Sequence, residues 1–353
     1  MNVEKKKIAD LTLCYWVTTL RHQGRRCLLA ASEKAFPCLL FDEYGNFIEE
    51  VWKEPGGTMT AVSLPGRESA FLATHRMYSP DDCRGASIVY CYYADGGWKI
   101  RTLAELPGVH RFDILVRNGV RYLIACTIKS DYEYDNDWRF PGKVFACALP
   151  AELDALPDDP AALPDGYRLP LSVVREGLLK NHGYSCSIRD GIPVSIVTSE
   201  EGVFRFTPPA SPEGSWIVET LLEEPTSDAL LLDLDGDGED EMLTLSPFHG
   251  DTLRIFKQRN GRFEQVFEYG QKLPFAHAIC PAGPREHPFA VIGHRQGARD
   301  LLAVRFRDGQ YTVEVLDHDV GPANAVSFEL DGQFRILAAN REIDEVAYYT
   351  VTG

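Results

Sequence analysis

A short apolar run recurs seven times along the chain, and this repetition limits the possible folds more than any figure of composition. The copies lie at 26–32, 69–75, 121–127, 193–199, 241–246, 289–294 and 335–340. Each is bounded by Gly, Asp, Asn or Pro. Around each, further short alternating runs fill a unit of about 45 residues, the length of one four-stranded propeller blade. Helical periodicity is almost absent. The one short helix expected is at 150–156, followed by a Pro-, Asp- and Ala-rich excursion over 157–166 that interrupts the third unit.

The expected fold is therefore all-β, a single domain forming a seven-bladed β-propeller. Its blades fall at approximately 10–53, 57–104, 109–178, 182–221, 227–271, 276–316 and 323–352. The last unit has only three strands, so residues 3–9 are expected to supply the fourth and close the ring, which removes exposed sheet edges. The turns Asn260-Gly261 and Asp308-Gly309 fit two-residue hairpins.

Asp and Glu outnumber Lys and Arg 52 to 36, a formal charge of −16, which argues against nucleic acid or an anionic membrane as partner. No apolar stretch is long enough to span a bilayer, and the N-terminus makes a poor signal peptide. The nine cysteines are scattered without a CxxC pair and mostly sit inside apolar runs, as reduced core residues would. A cytoplasmic location is expected. No GxSxG, P-loop, HExxH or GxGxxG motif is present, which disfavours hydrolase triads, nucleotide chemistry and dinucleotide redox work.

One segment has the form of a cation loop: Asp233-Leu234-Asp235-Gly236-Asp237-Gly238-Glu239-Asp240-Glu241, between two strands of the fifth unit. Carboxylates at alternate positions, with Gly at the sharp turns, suit a hard cation wanting six to eight oxygens. The segment resembles the FG-GAP repeat of integrin-α-type propellers, whose DxDxDGxxD/E pattern matches Asp233, Asp235, Asp237 and Glu241. The resemblance implies one structural calcium, because the other units lack the carboxylates.

The loops leading into each innermost strand and out of each second strand share one face of a propeller, at the mouth of the central channel. His75, His110, His182, His249, His277 and His294 all fall there, six of the nine histidines. Arg76, Arg111, Arg295 and Arg341 fall on the same rim and suggest an anionic or strongly polar ligand. Tyr134 and Trp138, in an insertion expected to overhang this face, suit stacking on a sugar ring; Tyr78 and Tyr184 are possible phenolic acids. Imidazoles serve as metal ligands or as proton shuttles. Proton abstraction beside a carbonyl with loss of a β-oxygen would use such a set, with His110, His182, His277 and His294 nearest the chemistry and a divalent metal such as Mn or Zn as a further candidate. The architecture is similar to that of aldos-2-ulose dehydratase and, more distantly, of oligogalacturonate lyases. These resemblances imply a carbon–oxygen lyase, dehydratase or sugar isomerase acting on a small molecule or oligosaccharide. The alternative is a non-catalytic propeller that binds a protein or glycan on the same face.

Overall fold

The computed structural model describes residues 1–151, 153 and 169–352. The expected helix at 150–156, apart from Pro150, Ala151 and Leu153, and the whole excursion 157–166 lie outside them.

Among the described residues, twenty-eight strands, β1 to β28 in chain order, form seven antiparallel four-stranded sheets. Six sheets are built from consecutive strands over 14–52, 61–105, 109–178, 184–222, 228–268 and 276–317. The seventh has the order β1-β28-β27-β26, in which β1 (Asn2–Asp10) pairs with β28 (Glu345–Thr352) from Asn2 opposite Thr352 to Asp10 opposite Glu345. The N-terminal strand thus closes the ring. In the hairpin turns Asn118-Gly119 and Asn260-Gly261 both central residues are left-handed, with φ of 52° and 78° and of 51° and 78°. That is the geometry that lets a two-residue turn follow the natural twist of its strands.

The second strands of the blades are apolar because they are covered on both faces. In β7 (Ala70–His75), β19 (Glu241–Ser246) and β23 (Phe289–His294) every residue is buried. Between neighbouring sheets lie separate apolar layers, such as Leu29, Leu40 and Trp52 of the first blade against Phe71 and Val89 of the second. Leu28 and Phe41 meet Leu337 and Val346 across the point of closure. Burial of each such large side chain stabilises by about 1.5–3 kcal/mol. All nine cysteines are free, and only Cys186 is exposed. Among the described residues no helix is long and apolar enough to cross a membrane.

Candidate functional site

Four innermost strands begin with the same irregularity. In β2 (Cys14–His22), β10 (Val109–Arg117), β22 (Ala276–Ala282) and β26 (Pro322–Leu330) the ladder skips one residue: Tyr15, His110, His277 and Ala323, respectively. A bulge of this kind re-aims a side chain without disturbing the pairing beyond it. Three of the four bulged residues are brought together. The Tyr15 hydroxyl lies 3.0 Å from Nε2 of His277 and 3.3 Å from Nε2 of His110, residues from three different blades.

His182, just before β14 (Tyr184–Arg189), and His249, just after β19, complete the cluster. Nε2 of His182 and Nε2 of His249 are 3.3 Å apart. One nitrogen from each of His182, His249 and His277 lies within 4.8 Å of the other two. Gly183 permits this approach, because a Cβ there would stand 2.3 Å from the Ser227 carbonyl oxygen. His249 is held by stacking: Phe248 and Phe275 lie on its ring at centroid distances of 3.9 and 4.2 Å. His249 and Phe275 both adopt left-handed backbone, with φ of 47° and 58°, a strained choice for non-glycine residues.

The outer nitrogens decide the tautomers. Nδ1 of His277 lies 2.7 Å from the Ala323 carbonyl oxygen, and Nδ1 of His110 lies 3.3 Å from that of His182. Nδ1 of His182 lies 3.0 Å from Asp228 Oδ2, a carboxylate that also accepts from the Ser227 hydroxyl at 2.9 Å. Each of these contacts places the proton on Nδ1 and turns Nε2 inward as an acceptor. Burial, reinforced by neighbouring cationic groups, holds His110, His249 and His277 well below the usual imidazole pKa, so these three are neutral at pH 7. The single proton of the Tyr15 O–H can then serve only one of the two inward nitrogens beside it, Nε2 of His110 and Nε2 of His277. Converging imidazoles short of donors, three of them anchored from behind by a carbonyl or carboxylate and His249 by its stacked rings, are a set that could hold a divalent metal. His182, His249 and His277 fit such an ion.

The cations nearby differ in their partners. Arg295 Nε donates to Glu342 at 2.8 Å, and Arg341 Nε donates to Glu33 at 2.8 Å and its Nη1 to Glu342 at 2.9 Å. Lys129 pairs with Asp81 and Lys180 with Glu200, each at 2.8 Å. Arg111, although buried, has no carboxylate partner among the described residues; it donates to the Met59 carbonyl oxygen and lies 5.0 Å from the Trp16 ring centroid. Trp138 packs edge-on against Phe248 at 5.3 Å, with Lys129 4.2 Å from its centroid. The insertion therefore reaches the cluster through Trp138, while Tyr134 stays 58% exposed.

Two expected members lie elsewhere. His294 has both ring nitrogens committed to its own loop, Nδ1 to the Gln296 carbonyl oxygen at 2.8 Å and Nε2 to the Asp300 N–H at 3.1 Å. His75 is buried edge-on against Trp52 at 4.6 Å, in the layer between the first two blades, beside an exposed Arg76. Tyr184 bonds Ser195 and Asp113 between blades, and Tyr78 bonds the Pro55 carbonyl oxygen. Tyr15 and Asp228 are the residues the sequence reading assigned no role. The signal for Tyr15 was the repeat itself, since it occupies the position in the first blade that His110 and His277 occupy in theirs.

The acidic loop stands at the opposite end of β18 (Asp228–Leu232) from Asp228. Asp233 accepts the N–H groups of Gly236 and Gly238 at 2.8 and 3.0 Å, and Glu241 accepts that of Leu234 at 2.7 Å. Tyr311, from the next blade, donates to Glu241 at 3.0 Å. Among the carboxylates sits the ammonium of Lys257, bonded to Asp235, 2.6 Å from Asp237 and 3.2 Å from Glu241. A positive group thus stands among three of the four carboxylates expected to hold calcium, while one oxygen each of Asp233, Asp235 and Asp237 lies within 4.8 Å of the other two, a spacing that could hold an ion.

No protein-family model matches the chain, and neither does any curated protein. The likeness to FG-GAP repeats thus rests on this loop alone. Among solved structures the chain is similar to one from Bacteroides uniformis described as a "putative 6-phosphogluconolactonase", with a TM-score of 0.51 at 14% identity over 92% of this chain and 88% of that one. At that identity the likeness speaks for the fold alone.

Proposed function

We propose that the chain is a metal-assisted carbohydrate enzyme, a carbon–oxygen lyase, dehydratase or isomerase of an anionic or keto sugar, working at the channel mouth. The observation that carries this reading is the convergence of His182, His249 and His277 within 4.8 Å, in a cluster with more acceptors than protons. A divalent ion such as Mn or Zn, once bound, supplies a Lewis acid for a substrate carbonyl or hydroxyl oxygen.

The chain's own residues divide the remaining work. Arg111, a buried cation without a carboxylate, holds the substrate's anionic group. Trp138 offers the sugar ring an apolar face. The Tyr15–His110 pair moves the proton: it leaves the carbon beside the carbonyl for Nε2 of His110, the C–H electron pair becomes the new double bond, and the β C–O bond breaks. The phenol of Tyr15, within reach of both imidazoles, returns a proton to the departing oxygen. The reading takes a small molecule or oligosaccharide as partner and the cytoplasm as location, in keeping with the nine free thiols.

The test is metal analysis of the purified chain together with turnover on uronates, keto sugars and sugar lactones, the last included for the fold neighbour's description. One divalent ion per chain is expected, with turnover lost to chelator, restored by Mn or Zn, and reduced by about 100-fold or more in Tyr15→Phe. A chain that takes up no metal at micromolar Mn or Zn overturns the reading. Metal uptake without turnover on any of these sugars leaves the non-catalytic alternative standing in its place.

A further inference from the structure

We infer that Lys257 is the resident cation of the DxDxDG loop: its ammonium occupies the place the motif otherwise gives to calcium, so the loop is complete without metal. The argument begins with register. Met242 of β19 pairs with Phe256 of β20 (Thr252–Arg259), so Glu241 and Lys257 are neighbours on adjacent strands at the root of the loop. From there the lysine stem reaches up, and its Nζ meets Asp235, Asp237 at 2.6 Å and Glu241 at 3.2 Å. An ammonium has three protons, and three carboxylates receive them.

The oxygens not facing the lysine are also engaged. Glu241 Oε2 accepts from Leu234 N–H, Asp235 Oδ1 from Asp237 N–H at 3.3 Å and Asp237 Oδ1 from Glu239 N–H at 3.0 Å. Asp233, which has no contact with the lysine, spends both oxygens on Gly236 and Gly238. Calcium would need six to eight oxygens, and binding it here means first expelling a tethered cation into water. Glu241 is fully buried and takes a further bond from Tyr311 of the neighbouring blade. The filled loop therefore ties the fifth blade to the sixth.

The experiment compares the full-length chain with Lys257→Met, which keeps the stem and removes the charge. Calcium is titrated by calorimetry, and melting is followed in EDTA and in millimolar calcium. The wild-type chain is expected to give no binding heat and the same melting temperature in both. Lys257→Met is expected to melt several degrees lower in EDTA, to bind one calcium and to recover in its presence. Binding of one calcium by the wild type, or a Lys257→Met protein indifferent to calcium, overturns the inference. If Lys257→Met does not fold without metal, Asp237→Asn serves: it should lower the melting temperature equally in EDTA and in calcium, and a larger drop in calcium overturns the inference.

Discussion

The imidazole cluster and the acidic loop lie at opposite ends of the same short strand, β18, and meet the same electrostatic problem in opposite ways. At one end, carboxylates that match a metal-binding pattern letter for letter converge on an ammonium from their own chain. At the other, histidines that match no pattern converge on one another, with too few protons to satisfy every nitrogen. The conspicuous motif has a cation of its own chain among its carboxylates; the inconspicuous one has fewer protons than acceptors. Spacing along a sequence reports how many donors a loop can offer, whereas demand for an outside ion depends on what else in the fold reaches the same point.

The contrast breaks most readily at the histidines. His182→Ala should lower affinity for Mn or Zn by more than about 100-fold, and Asp228→Asn, which only loosens His182 from behind, by about 10- to 100-fold. Equilibrium dialysis against each metal gives both numbers, and equal losses in the two would make Asp228 a ligand. Glu241→Ala at the other end should cost about 3 kcal/mol in urea unfolding, because it strips a buried partner from Lys257. It should leave metal affinity at the cluster unchanged; a change there would show that the two ends communicate.

Acid sharpens the comparison further. Burial, helped by Arg76, lowers His75 to about 4 from an ordinary 6.5, so the unfolded chain takes up the proton first. The stability this residue contributes is whole above pH 6.5 and lost as the pH falls toward 4, about 3 kcal/mol by linkage. His110, His249 and His277, lowered in the same direction, add to the fall. Lys257 holds Asp237 below its usual range, so that carboxylate stays ionised throughout the same window. Stability measured from pH 7 to pH 4 should therefore drop steeply in the wild type and less in His75→Phe. Smallest of all, Tyr134→Ala should change stability by less than about 0.5 kcal/mol, since the ring is mostly in water.

The ring of blades was legible because a strand covered on both faces must be apolar throughout, and seven such runs survive any uncertainty over the strands around them. The closing strand followed from counting. His110, His182, His249 and His277 were legible as a group because propeller winding assigns loops to faces. What the sequence did not reveal was direction within a face. His75 and His294 end their second strands, yet one turns into the layer between blades and the other bonds its own loop. Tyr15 escaped notice because it lies inside an apolar run, and only a skipped rung of the ladder turns it toward the axis. The partners of two rim arginines were hidden for a related reason. Glu33 and Glu342, from the first and last blades, pair with Arg341 and Arg295, and contacts between neighbouring blades that are far apart in sequence leave no trace in spacing.

The skipped rung has an engineering corollary. Residues 15, 110, 277 and 323 stand outside the hydrogen-bond count of their strands, so exchanging one side chain there leaves the neighbouring register as it was. The channel is in effect a dial whose settings turn independently of the casing. Ala323, the small residue among the four, is buried in the same apolar cluster as Tyr15 and lends its carbonyl oxygen to His277, so its setting serves the neighbouring dial rather than its own.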